Sequence, residues 1–373
     1  MGTLFDYLKW RGDLSFRQAP INEVDSLIFS LLSYVDFTGI VSSSHESREV
    51  LSLRTAANAF FSKNPNDKKI SMGLMVPRSI ITLLKTAKET MRFRNVGVKG
   101  HVNKIDLKRQ MQFSATTFLT DDGNTVVAYR GTDDTLIGWK ENFNMSFMES
   151  VPAQREAVAY LDTAAKYAIG DIYVMGHSKG GNLAIYATVF CQEPIRERLA
   201  QVWSHDGPGF CNSMLKNPTY LQIRPIIRTL IPESSVVGIL LEHEESYTVI
   251  KSKHRGPAQH NGLTWDVTGP SFVHLQTVSD GCRRFDKNLN TWIKKLTMEQ
   301  REQLADAIYQ ILSSGDSLTL SDLVSLKRLW NARGKSIDPQ VYAVLKQTVI
   351  GLIGHSAKNL INDVLHKSTP KSK

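Results

Sequence analysis

The sequence is poor in cysteine: Cys191, Cys211 and Cys282 are the only three in 373 residues, odd in number and far apart. That excludes a disulfide framework and a cysteine-based zinc finger, and it predicts a reducing compartment. Long apolar runs are missing as well. No stretch approaches the roughly 20 unbroken apolar residues of a membrane-spanning helix. Residues 1–10 carry Asp6 and Lys9 where a secretory signal needs its apolar run, so a cytoplasmic location is expected. There is no His-Glu-x-x-His helix for a metal and no G-x-x-x-x-G-K loop for a phosphate, so neither metal nor cofactor is expected. Compositional bias is lacking too. Hydrophobic residues at 42% and charged residues at 22% lie near the globular average, which excludes a disordered chain.

Positive charge is what the chain has in excess. Lys and Arg number 45 against 36 acidic residues, a formal charge of +9. The basic residues are scattered, with one cluster at Lys367, Lys371 and Lys373, and no nucleic-acid-binding module accompanies them. Specific nucleic-acid binding is not expected. An anionic membrane surface, touched peripherally, or an anionic substrate remains open.

The length admits two or three domains of roughly 150 residues, or one large α/β domain with an appendage. Val24, Leu27, Ile28, Leu31, Leu32 and Val35 recur at helical spacing behind a capping Asn22, and Ile80, Ile81, Leu84, Ala87 and Met91 repeat the pattern. The opening third therefore reads as mostly helical. Segments 113–120 and 125–129 are β-branched and aromatic, joined by the turn signal Asp122-Gly123-Asn124. A helix at 152–167 follows, with Ser150 as its cap. Short apolar runs at 172–175, 200–204, 226–230 and 247–251 read as buried strands, the first two separated by a helix at 180–190. Such alternation predicts a mostly parallel sheet with helices on both faces. After about residue 296 the chain returns to helix. Thr297 with Gln300 makes a capping-box pattern, and Val344, Leu345, Ile350, Leu352 and Ile353 give a later helix an apolar surface suited to the core. The division expected is an α/β domain at 1–295 and a helical appendage at 296–373.

The chemistry centres on Gly176-His177-Ser178-Lys179-Gly180-Gly181, a G-x-S-x-G pattern with an apolar strand before it and a helix after it. This is the strand–turn–helix of a nucleophile elbow. Ser178 must sit in a strained turn, and glycines two before and two after let the neighbouring backbone pass. The helix N-terminus that follows favours negative charge at the site.

Upstream, 126–132 is a strand ending in Arg130-Gly131-Thr132, with Trp139 and Asn142 beyond it. Together with the serine elbow this resembles the class 3, fungal-type lipases among the α/β-hydrolases. The resemblance implies that Thr132 lends its N–H, and its hydroxyl, to an oxyanion hole, with the Lys179 N–H as second donor. A Lys after the serine departs from the apolar residue of those lipases and sets a cation beside the site. A broader resemblance rests on DYLKWRGD at 6–13, NEVD at 22–25, GHSKGGNLA from Gly176 and HDGPGF from His205. These motifs are similar, in the same order, to those of a bacterial lipase-like family. That resemblance implies the α/β-hydrolase fold and a serine nucleophile, but no substrate.

In this fold the triad runs nucleophile, acid, histidine along the chain. His254 and His260 both follow the strand at 247–251. His260, followed closely by Trp265, resembles the His-then-Trp pattern of class 3 lipases and is preferred. Two acids compete. Asp206 opens an Asp-Gly-Pro-Gly turn after one strand; Glu233 follows the next, in a segment with serine where the lipases' Asp aligns. Asp206 is preferred, because a short side chain on a rigid turn is ordered at lower entropic cost. The stripe Trp139, Phe143, Met145, Phe147 and Met148 lies where related lipases carry a lid, although core packing is the commoner role of such a stripe. The expectation is a serine hydrolase acting on an ester, of a lipid or another acyl compound, through Ser178, His260 and Asp206. A thioesterase or peptidase would use the same residues, and a non-catalytic binding protein on the same scaffold is the alternative of a different class.

Overall fold

The computed structural model describes residues 2–66, 70, 72, 76–133, 135–145, 148–284, 297 and 299–300. Five helices open the chain: α1 (Leu4–Arg11), α2 (Glu23–Leu32), α3 (Leu53–Lys63), α4 (Ser79–Ala87) and α5 (Met91–Arg94). The expected Asn22 cap is present. Its side chain accepts from the Val24 and Asp25 amides, and the Asp25 side chain accepts from the Asn22 amide in return. Every residue of α2 after Glu23 is buried, so this helix is wrapped on all sides. Asp25 pairs inside with Arg92, whose Nε lies 2.8 Å from Asp25 Oδ1.

The first third is not all helical, however. Strand β1 (Leu51–Ser52) pairs with a ten-residue strand β2 (Gly97–Asp106). The register of β2 slips between Lys99 and Val102, at Gly100, which takes a φ of +65°. A bulge of this kind breaks the two-residue alternation by which a strand is recognised.

Next come β3 (Met111–Leu119), β4 (Thr125–Tyr129), α6 (Leu136–Asn144), α7 (Pro152–Lys166), β5 (Ile172–His177), α8 (Lys179–Phe190), β6 (Leu199–His205), β7 (Ile227–Pro232) and β8 (Tyr247–Ile250). Short strands β9 (Val267–Thr268), β10 (Ser271–Phe272) and β11 (His274–Leu275) follow. The nine-stranded sheet has the order β1-β2-β3-β4-β5-β6-β7-β8-β11. It is parallel through β4–β8 and antiparallel toward both edges.

Alternation along the strands divides the core in two. Val126, Ala128 and Met175 join a cluster with the N-terminal helices, while Val127, Tyr129 and Val174 join α7 and α8 on the other face. The result is the α/β-hydrolase arrangement, with helices on both faces. Ser150 does not cap α7: the Val151 amide donates to the Gln154 side chain, and Ser150 Oγ accepts from Arg155 instead. Among the described residues no helix is long and apolar enough to cross a membrane. The appendage at 296–373 lies outside the described residues apart from its start. There Thr297 and Gln300 exchange the two bonds of the expected capping box, at 2.9 and 3.1 Å.

Candidate active site

Ser178 stands between β5 and α8 with φ 59° and ψ −134°, a conformation L-residues rarely adopt. Such a backbone costs on the order of 1–3 kcal/mol and persists only when its surroundings over-determine it. Two glycines supply the room. A Cβ on Gly180 would lie 2.1 Å from the Tyr129 carbonyl oxygen, and one on Gly176 would lie 2.1 Å from the Gly180 backbone. The Ser178 amide donates to the His205 carbonyl at 2.9 Å, tying the elbow to β6.

Asp206, at the end of β6, has a second strained backbone, φ 50°. Its amide donates to the Leu230 carbonyl at 2.7 Å. The carboxylate is fully buried and bonds residues remote in sequence rather than its own turn. Oδ2 lies 2.6 Å from His260 Nδ1, while Oδ1 accepts from the Gly238 amide at 3.0 Å and from the Ser235 hydroxyl. Ser235 belongs to the segment that shows serine where the lipases' acid aligns. Asp206 thus lies one strand before that segment, and a serine of the segment supports its carboxylate. Glu233 is half-buried and spends its backbone on Ile250 and Ser279; His260 Nδ1 faces Asp206 and not Glu233.

His260 ends the short helical turn Gly256–His260. Trp265 is fully buried and donates its indole N–H to the Gln259 carbonyl at 2.9 Å, and the Gln259 side chain accepts from the Ser234 amide. His260 is therefore held through its neighbour Gln259, by Trp265 on one side and Ser234 on the other. Its ring lies against that of His177, centroids 4.7 Å apart, which sets it beside the elbow. His254 is exposed. Burial drives the pKa of His177 well below the ordinary histidine value and that of His205 down to about 3.

Arg130-Gly131-Thr132 leaves β4 directly against the elbow. A Cβ on Gly131 would lie 2.9 Å from Ser178 Cβ. Thr132 Oγ1 accepts from Asn142 Nδ2 at 2.7 Å, so the two residues singled out in sequence do meet. The expectation of a cation beside the site is corrected. The Lys179 side chain is buried and turns inward, its Nζ donating to the Gln112 carbonyl (2.6 Å), to Gln112 Oε1 (2.9 Å) and to Glu141 Oε2 (3.0 Å). Only its backbone remains at the elbow. Of the stripe beyond β4, Met145 is buried and Met148 exposed. The side chains of Trp139 and Phe143, and Phe147, lie outside the described residues. Glu141, Ser235 and Tyr34, whose hydroxyl lies 3.1 Å from His177 Nδ1, carried no local signal, since each is recognised only through its partner.

The family model that matches the chain is described as Mbeg1-like and spans residues 87–310, more than half its length. The match includes the elbow and the Asp206 turn but not the motifs at 6–13 and 22–25. No curated protein matches the sequence. Among solved structures, the chain is similar to M37 lipase, with 15% identity over 58% of this chain and 69% of that one and a TM-score of 0.36. It is similar to the lipase of Rhizomucor miehei in a propeptide complex, with 18% identity over 42% and 57% and a TM-score of 0.32. A triacylglycerol lipase described as having a serine protease triad as its catalytic centre shares 13% identity over 62% and 80%, with a TM-score of 0.36.

Proposed function

We propose that this chain, which belongs to the Mbeg1-like family, is a serine hydrolase that cleaves a carboxylic ester of a lipid or another acyl compound. The observation that carries this reading is the buried Asp206 carboxylate, 2.6 Å from His260 Nδ1, with the His260 ring set beside the strained Ser178. Ser178 Oγ attacks the ester carbonyl carbon and passes its proton to His260 Nε2. Asp206 stays ionised, fixing the Nδ1–H tautomer and stabilising the imidazolium. The negative oxygen of the tetrahedral intermediate takes the backbone N–H groups of Thr132 and Lys179, at the positive end of α8. Collapse expels the alcohol, which receives the proton from His260. Water then repeats the sequence on the acyl-enzyme and releases the acid. The inward Lys179 side chain leaves the site without an added cation, in keeping with an uncharged acyl group.

A fluorophosphonate probe tests the reading. Covalent labelling of the wild-type protein that disappears in Ser178→Ala, accompanied by turnover of soluble aryl esters, is the expected result. Folded wild-type protein that takes no label and turns over no ester of any chain length would remove the hydrolase reading.

A further inference from the structure

Ser26, Ser30 and Tyr34 are spaced four residues apart, which aligns them along one face of α2 and the turn beyond its C-cap Ser33. That face meets two buried imidazoles. His177 directly precedes Ser178, and His205 directly precedes Asp206. Ser26 Oγ lies 2.9 Å from His205 Nε2, Ser30 Oγ 3.2 Å from His205 Nδ1, and the Tyr34 hydroxyl 3.1 Å from His177 Nδ1. All three hydroxyls lie outside the region matched by the family model.

Two carbonyls fix the proton positions, because a carbonyl oxygen only accepts. His205 Nδ1 lies 3.2 Å from the Gly176 oxygen and donates there, while the Ser26 hydroxyl sits between His205 Nε2 at 2.9 Å and the Glu23 carbonyl at 2.8 Å. His177 Nε2 lies 2.7 Å from the His260 oxygen, so Nε2 donates there and bare Nδ1 accepts from Tyr34. Gly131 stands against the same hydroxyl: a Cβ on it would lie 2.2 Å from the Tyr34 oxygen. A directed chain therefore runs from Tyr34 through His177 to the backbone of His260. The carbonyl at its end fixes that direction, and burial disfavours a second proton on either ring.

The geometry points to α2 as part of the catalytic apparatus: Ser26, Ser30 and Tyr34 are positioning residues that act through His205 and His177. They hold the strained backbones of the nucleophile and the acid and set the ring of the base. This inference rests on the triad reading above. Strain at Ser178 and Asp206 needs surroundings that over-determine it, and the stripe anchors the residue before each.

The test compares Tyr34→Phe and the double variant Ser26→Ala/Ser30→Ala with wild type. Tyr160→Phe serves as control, since it loses a buried phenol bond, 2.7 Å to the Gly100 carbonyl, that does not touch α2. The readouts are kcat and KM on a soluble aryl ester and the downfield proton resonance of His260 Nδ1–H. The expected result is a kcat lower by about tenfold to a hundredfold at nearly constant KM, with the resonance shifted or broadened. Tyr160→Phe should lower the melting temperature and leave kcat and the resonance alone. Tyr34→Phe and the double serine variant that match Tyr160→Phe in kcat and keep the wild-type resonance would overturn the inference. A wild-type protein without turnover or labelling would sink the hydrolase reading alone, and the resonance comparison would still decide the positioning role.

Discussion

Asp206 and Glu233 were separable in sequence only by the stiffness of their turns, and their surroundings separate them by hydrogen-bond partners. The Asp206 carboxylate collects the His260 ring, the Gly238 amide and the Ser235 hydroxyl in full burial, whereas among the described residues no such set faces the Glu233 side chain. Asp206→Asn should therefore lower turnover by about 10⁴, because the amide favours the wrong histidine tautomer. Glu233→Gln should leave kcat nearly unchanged; a large loss there with none at Asp206 would reverse the assignment. The three residues proposed as the triad stood out because each sits in a short local pattern: an elbow, a Gly-Pro turn, a His-then-Trp pair. Their supports did not. Ser235 reaches Asp206 across 29 residues of chain, and the direction of the Lys179 side chain is set by Glu141, 38 residues away. The neutral histidines add a pH dependence. His205, with a pKa near 3 in the fold, takes up a proton near pH 6.5 when unfolded. Its contribution is complete above about pH 6.5 and is lost as pH falls from there toward about 3, because the unfolded chain binds a proton that the fold refuses. His177 acts in the same direction. Each gives a slope of up to about 1.4 kcal/mol per pH unit. Urea midpoints that stay level between about pH 7 and pH 5 would contradict it.

Helix α6 is pinned rather than free. Glu141 Oε1 accepts from the Ala153 amide at 2.8 Å, Oε2 takes both Lys179 and the Gln112 amide, and Asn142 holds Thr132. Those bonds favour packing over a lid for this segment. Lys179→Met alone strands a buried carboxylate and should cost about 3–5 kcal/mol, whereas Lys179→Met with Glu141→Leu should recover most of that loss. Chemical denaturation of the single and double variants checks the difference; equal losses would mean the pair is not coupled. The elbow gives a sharper contrast. Gly180→Val drives a side chain into the Tyr129 carbonyl, while Ser178→Ala removes one oxygen, so thermal melts should rank the first far below the second. Elements with clean periodicity, such as α2 and β4–β8, were readable from sequence. Strand β2 was not, because its bulge at Gly100 and its charged outer half, Asn103–Ile105 exposed, erase the two-residue pattern.

The family match begins at residue 87, yet nothing in the core divides there. Residues from α1 to α4 form one continuous cluster with Phe118, Met175, Trp203, Leu230 and Ile250, which project from the sheet. A chain starting at residue 87 would bare those five side chains. Burial of each stabilises by about 2 kcal/mol, so their exposure alone costs about 10 kcal/mol, as much as the whole net stability of a typical domain. It would also leave Arg92 without Asp25 and would leave His205 and His177 without the hydroxyls of Ser26 and Tyr34. The N-terminal helices are thus a layer packed on the sheet. Expression of residues 87–373 should give aggregated protein, or a collapsed form without near-ultraviolet circular dichroism, where the full chain gives a cooperative melt. A soluble 87–373 protein that melts cooperatively and takes the fluorophosphonate label would show the sheet to be stable without its N-terminal layer, and would leave α2 no necessary part in the site.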